Sequence, residues 1–208
     1  PSIQRGLPAQ VVKHNEHRFL VDCGEGTQRQ ILQSGLGFKK LNRLLITHGH
    51  LDHILGIGGL VSTFLRWETI DKLEIYGGDF TLERIDELLF RVVIRGVNPS
   101  FPIELKPVKK GVFIQEKDFT ISAFPVKHRG PGCFGFTFEE ENRRPFLAEK
   151  AEALGIPSGP LRHELVQGKT VLLPNGIEVA PQDVLGEAIP GTKLVIVGDS
   201  GETKTLEK

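Results

Sequence analysis

The segment Ile46-Thr47-His48-Gly49-His50-Leu51-Asp52-His53 places three of the chain's seven histidines, and one aspartate, within six positions directly after an apolar run. Imidazole and carboxylate are side chains that hold divalent cations, at about 2.0–2.2 Å for Zn²⁺. In extended backbone, residues i and i+2 point to the same side, so His48 and His50 can converge on one cation. Asp52 and His53 lie one step further, in a turn, and can reach a neighbouring one. Such ligands suit Zn²⁺ and also accept Mn²⁺ or Fe²⁺. Two cations about 3.5–4 Å apart share a hydroxide, lower its pKa towards neutrality and stabilise both entering and leaving oxygens, which points to phosphodiester chemistry. The alternative is a histidine-rich surface loop, but H-x-H-x-D-H is far more restrictive than a lone histidine pair.

Such a site needs elements that deliver ligands to one place. Residues 9–13 and 18–22 read as two strands around the turn His14–His17, and "RLLIT" (43–47) as a third that ends on the histidine cluster. "GEGTQRQILQSG" (24–35) reads as a short helix closed by Gly35. "ILGIGGLVSTFLRW" (54–67) reads as a buried helix despite three glycines, and "TLERIDELLFRVV" (81–93) as an amphipathic one. Strands are expected at 73–76, 103–108, 112–115, 118–126 and 133–139, and a buried strand within "TKLVIVGDS" (192–200). Two more candidate ligands stand where strands emerge: His128 after "FTISAFPVK" and Asp199 after "KLVIVG". Taken singly, a lone histidine is more often a satisfied surface or core residue, and Gly-Asp-Ser more often a turn. Asp199 could bridge two cations, one oxygen on each. His14, His17 and His163 lack such context and read as solvent-exposed.

Past Glu141 the character changes. Residues 146–169 resemble two small helices hinged at a Pro/Gly knot, and "TVLLPNGIEV" (170–179) a hairpin around Asn175-Gly176. Mixed strands and helices with polar residues at strand ends imply layered α and β, with the site along a sheet edge. At 208 residues the chain is expected to form one domain. Its formal net charge of zero removes any argument from overall basicity, although a local basic patch can still meet nucleic acid. Cys23 and Cys133 are too few for a disulfide framework, which favours a reducing, cytoplasmic compartment. No apolar run approaches the roughly 20 residues of a membrane span, so no membrane partner is expected.

"THGHLDH" (47–53) is similar to the signature of the metallo-β-lactamase superfamily, whose fold is an αβ/βα sandwich with a dinuclear site at the sheet edges. A narrower resemblance follows from "FLVDCGEGTQRQI" (19–31), "THGHLDHILGIGGL" (47–60), "VKHRGPGCFGFTFEE" (126–140) and "LGIPSGPLRHELVQGKTVLLPNG" (154–176). In that order they resemble the ribonuclease Z family, endonucleases that trim the 3′ trailer from precursor tRNA. The resemblance implies one metal on His48, His50 and His128, a second on Asp52 and His53, and Asp199 bridging. The two divalent metals would be zinc, with Mn or Fe as alternatives. Asp52 would orient the bridging hydroxide and take its proton, leaving a tRNA 3′-hydroxyl. Asp22 would support a ligand histidine, its alternative being a strand-end turn residue. Residues 141–183 would form a protruding, tRNA-gripping arm within the single domain 1–208. Gly159 and Pro160 would shape its tip, and basic residues including Arg162 and Lys169 would contact phosphate; otherwise "PSGP" is an ordinary turn. The family also implies a homodimer.

The family pattern extends beyond the chain at both ends. A Met-led strand is expected ahead of Pro1, and His-Glu, His-Ser-Thr and Thr-His segments after Asp199. The expectation is therefore an incomplete metallo-β-lactamase-like fold, weakly active or inactive by itself. Two competing readings stay open: a small-molecule phosphodiesterase or esterase of the same superfamily, and a tRNA-binding module without catalysis.

Overall fold

The computed structural model describes residues 5–202 and 204, which divide into two compact units. Among the described residues, the first comprises 5–115, 120–138, 194–202 and 204, and the second 116–119 and 139–193.

In the first unit, β1 (Gln10–His14) pairs antiparallel with β2 (His17–Val21), in register from Gln10–Val21 to His14–His17. The sheet continues in parallel through β3 (Arg43–Leu45), β4 (Leu73–Gly77) and β5 (Ile103–Pro107). Helices lie between successive strands: α1 (Thr27–Gln33), then α2 (Leu51–Ile54) with α3 (Gly56–Trp67), then α4 (Asp79–Asp86). Because strand side chains alternate, Leu20, Leu44, Leu73 and Ile75 join Leu60, Phe64, Ile85 and Leu89 in one core. The opposite face carries Phe19 and Tyr76.

That face meets a second sheet. It contains β6 (Gly111–Gln115), β7 (Phe119–Pro125) and β8 (Phe134–Glu140). β9 (Val171–Leu172) and β10 (Glu178–Val179) belong to the second unit, and β11 (Lys193–Ile196) completes the second sheet in the order β11-β8-β7-β6. The layers join through aromatic contacts, Phe19 edge-on to Phe138 at 5.5 Å and Tyr76 tilted against Phe113 at 5.4 Å between ring centroids.

Three sequence expectations need correction. The helix over 81–93 is α-helical only to Asp86, and Glu87–Val93 is π-helical. The Ile94 amide bonds to the Leu89 carbonyl at 2.8 Å, and this five-residue step returns buried Ile94 to the apolar face. β11 is not a buried strand: Leu194 and Val195 are 43% and 51% exposed, because β11 lies at one edge of its sheet. His14 and His17 are half-buried across the β1–β2 turn rather than fully exposed, His17 lying against Phe19; His163 is exposed.

The glycines of α3 have a packing reason. A Cβ on Gly56 would stand 2.0 Å from the Gly24 carbonyl oxygen, and one on Gly58 3.0 Å from Val93. The missing side chain at Gly56 lets the helix lie directly against the segment that follows β2, where the Gly56 amide donates to the Cys23 carbonyl at 2.9 Å, and Gly58 makes room for Val93.

The second unit has its own core of Ala151, Ile156, Leu165, Val171, Leu173, Val179 and Val184. It is built from α5 (Ala148–Ala153), α6 (Pro160–Val166), the β9–β10 hairpin and α7 (Pro181–Val184). Gly155 ends α5 with φ 71°, and Gly159 precedes Pro160 with φ 130°, values that a side chain would strain. The hairpin forms around Asn175-Gly176 as expected, with Pro174 included in a three-residue loop. The Gly176 amide bonds back to the Leu173 carbonyl at 2.9 Å, and of the Asn-Gly pair only Gly176 has positive φ, 81°. Pro174 takes the first central position of the turn closed by that bond, which its fixed φ suits.

Candidate metal centre

The site forms where strands of both sheets run out. Asp22 follows β2, and His48 stands three residues beyond β3, as does His128 beyond β7 and Asp199 beyond β11. His50, Asp52 and His53 come from the turn entering α2 and from its first residues. Ligand sites outside the carboxyl ends of parallel strands are a general property of open α/β sheets.

The donor atoms of His48, His50, His128 and Asp199 lie within 4.8 Å of one another, and so do those of Asp52, His53 and Asp199. Asp199 belongs to both groups. His48 Nε2 and His50 Nδ1 are 3.0 Å apart, and His128 Nε2 is 3.3 Å from the same His50 nitrogen. His53 Nε2 is 3.8 Å from both the Asp52 and the Asp199 carboxylates.

Asp22 orders the protons behind this cluster. Its buried carboxylate accepts from the Thr47 amide at 2.8 Å, from the Thr47 hydroxyl at 2.9 Å and from His53 Nδ1 at 2.8 Å. With its own proton committed to Asp22, the Thr47 hydroxyl accepts from His48 Nδ1 at 3.0 Å. Both imidazoles are thereby held with Nε2 towards the cluster. His53 Nε2 is buried yet has no hydrogen-bond partner among the described residues.

These features fit divalent cations. Burial, then the neighbouring imidazoles led by His53, push His48 down to about 4, which keeps its lone pair available at neutral pH. Burial pushes His53 down as well, but the hydrogen bond and charge of Asp22, with Asp52 and Asp199, outweigh it and raise its pKa. A buried nitrogen facing two carboxylates is a place for positive charge, which a proton or a metal ion can supply. Three nitrogens converging on one point, beside a carboxylate, make the second such place.

In the second unit, Gly159 and Pro160 start α6. The Arg162 guanidinium donates twice to the Ile156 carbonyl, at 3.2 and 2.8 Å, and lies over the Phe146 ring, so it braces the hinge between the two helices. Lys169 is exposed. None of the four belongs to the histidine–aspartate groups.

Sequence reading missed two residues that shape the centre. Thr47 links Asp22 to His48; its place beside Asp22 follows from the Val21–Leu45 register, which requires the strand order. Arg84 of α4 donates to the carbonyl of Gly49 at 2.6 Å, between the two histidines. Nothing in the sequence marks it, because its partner is a backbone atom 35 residues away.

A sandwich of two sheets with helices on the outer face of the first, and a histidine–aspartate cluster at the strand ends, defines the metallo-β-lactamase class of metal-dependent hydrolases. The family model of the metallo-beta-lactamase superfamily matches residues 9–207. Ribonuclease Z of Bradyrhizobium diazoefficiens is 45% identical over 208 residues, covering all of this chain and 69% of that protein. Ribonuclease Z of Archaeoglobus fulgidus is 35% identical, covering 98% of this chain and 65% of that protein. Among solved structures, human tRNase Z, short form, superposes with a TM-score of 0.54 at 29% identity, over 67% of this chain and 60% of that one. The chain belongs to the ribonuclease Z family of the metallo-β-lactamase superfamily, and spans about two thirds of the length of these two curated relatives.

Proposed function

We propose that the protein acts as a zinc-dependent endoribonuclease that removes the 3′ trailer from precursor tRNA. The observation that carries this reading is the convergence of four imidazoles and two carboxylates, in two groups that share Asp199. The relatives' names, Ribonuclease Z and tRNase Z, supply the substrate class.

His48, His50 and His128 would hold one cation, Asp52 and His53 the other, and Asp199 both. Bound divalent cations supply Lewis-acid polarisation and a more acidic water. Asp52, half exposed beside His53, accepts the proton of the attacking water. Attack at phosphorus breaks its bond to the tRNA 3′-oxygen, which takes up a proton from solvent, so the tRNA keeps a 3′-hydroxyl and the trailer a 5′-phosphate. Asp22 holds His53 and, through Thr47, His48, so that neither imidazole must reorient during turnover.

The second unit serves as the tRNA-gripping arm in this reading. Gly159-Pro160 shapes its tip and Lys169 contacts phosphate, while Arg162 keeps the hinge in shape. We read the assembly as a cytoplasmic homodimer, on the family resemblance. Among the described residues no helix is long and apolar enough to cross a membrane.

The test is cleavage of a 3′-extended tRNA by the chain carried to the full length of its relatives, with and without Zn²⁺. Zinc-dependent cutting at the trailer junction is expected. Hydrolysis of small phosphodiesters without tRNA cleavage would establish the small-molecule phosphodiesterase instead. Tight tRNA binding with hydrolysis of neither substrate would establish a non-catalytic binding module.

A further inference from the structure

We infer that Arg129 binds a non-bridging phosphate oxygen of the RNA strand beside the reacting phosphodiester, making the cleft at the metal centre selective for a polyanionic strand. This inference rests on the RNA-cleaving reading above. The cleft has a volume of about 760 Å³ and is lined by His50, His128 and Asp199 of the centre together with Lys127, Arg129 and Glu202. That volume lies within the range of about 300–1,000 Å³ typical of ligand sites.

The charges of the cleft single out Arg129. The cations of the loaded centre would offset its carboxylates, and Glu202 is the further acidic side chain of the cleft lining. Lys127, on one side of His128, is engaged with Glu202. Arg129, on the other side, is exposed, and among the described residues no carboxylate lies within ion-pair distance of its guanidinium. It is therefore the cation of the cleft still available to a ligand. A planar guanidinium with several donors also suits phosphate oxygens better than a point charge does.

The backbone beneath Arg129 is held at both ends. His128 precedes it in the centre, with Nε2 3.7 Å from the Asp199 carboxylate. The segment after it turns through Gly130 and Gly132, with φ of 91° and 70°. Gly132 lies so close to Gly78 that a Cβ on Gly78 would stand 2.5 Å from the Gly132 carbonyl oxygen. Val126 N donates to the Cys133 carbonyl at 2.9 Å and closes the loop. A guanidinium on an anchored loop loses less freedom on binding than one on a loose tail.

The experiment uses the zinc-loaded chain and a fluorescein-labelled RNA hairpin with a single-stranded 3′ extension, with affinity read by anisotropy between 50 and 200 mM KCl. Arg129→Ala is expected to weaken binding about tenfold and to reduce the slope of log affinity against log salt by about one, as loss of one phosphate contact requires. Arg129→Lys should restore the slope and only part of the affinity, because the charge returns without the planar fork. Zinc stoichiometry, measured in the same samples, should match the parent protein for both variants. Unchanged affinity and slope in Arg129→Ala would overturn the assignment, and so would loss of zinc by that variant, which would make the residue a prop for the loop. If the parent chain loads zinc and binds no RNA, the RNA-cleaving reading itself fails, and this inference with it.

Discussion

Asp22 combines a left-handed backbone, φ 57°, with a buried carboxylate that serves Thr47 and His53 together. A non-glycine residue keeps that conformation only where its surroundings over-determine it. Asp22→Ala should therefore weaken zinc binding by about 10–100-fold, the usual effect of removing a carboxylate behind a ligand histidine. Competition against a chromophoric chelator measures this, and an unchanged affinity would show that the carboxylate only closes a turn. Glu74 is the other informative acid. It is buried on β4 and accepts from Arg43 at 3.2 Å, from Lys72 at 3.0 Å and from Lys106. Burial pushes its pKa up, but the hydrogen bonds from Lys106 and Lys72 prevail and hold it at about 2, against an ordinary 4.5. A depressed carboxylate stabilises the fold above its unfolded pKa, and that contribution drains away as pH falls from about 4.5 to about 2. Urea unfolding across that window should show a steep acid loss in the parent protein and a shallower one in Glu74→Gln. At neutral pH the variant should be less stable by on the order of 3 kcal/mol, since three cations lose their shared partner.

Among the elements, α3 and α4 hold the histidine loop from two directions. α3 reaches the segment after β2 because Gly56 has no side chain, so Gly56→Ala must drive backbone from backbone. A loss of several kcal/mol is expected in thermal or denaturant unfolding, at the upper end of single-residue effects. A loss below about 0.5 kcal/mol would mean that the two segments part easily. α4 lies against Gly49, where an added Cβ would stand 3.3 Å from the Thr81 Cα, and Arg84 donates to the Gly49 carbonyl. Arg84→Ala should loosen His48 and His50 together. The expected results are weaker zinc affinity and a cobalt-substituted spectrum with broader ligand-field bands, while the unfolding midpoint of the zinc-free protein falls little. Equal effects on the zinc-free and loaded forms would reduce Arg84 to an ordinary packing residue.

For the whole molecule, two compact units imply that deleting residues 145–175, which carry most of the second unit's core, leaves the metal-bearing unit with all six candidate ligands. Cleavage of precursor tRNA should then fall below detection while hydrolysis of a small phosphodiester persists, when both are assayed in the full-length context. If both activities fall together, the arm is not a separable substrate grip.

Much of this protein was legible in one sequence because its signals are local. The strand pairs 9–13 and 18–22, the helix at 24–35 and the cluster at 48–53 each depend on residues within a few positions of one another. His128 and Asp199 were marked more weakly, by polar residues emerging from apolar strands, and the family resemblance joined them to the cluster. Tertiary structure alone decided the rest. Gly56 reads as a helix weakener until the backbone it admits is in view, and Thr47 as a spacer until the β2–β3 register sets it beside Asp22. Arg84 bonds to a carbonyl, which has no sequence signature. Residues 87–93 follow a helical pattern, yet wind as a π-helix whose five-residue step ends on the buried Ile94. The dividing line is physical: side-chain type and spacing along the chain bias local conformation, whereas close approach, register and backbone acceptors exist only between segments that folding brings together.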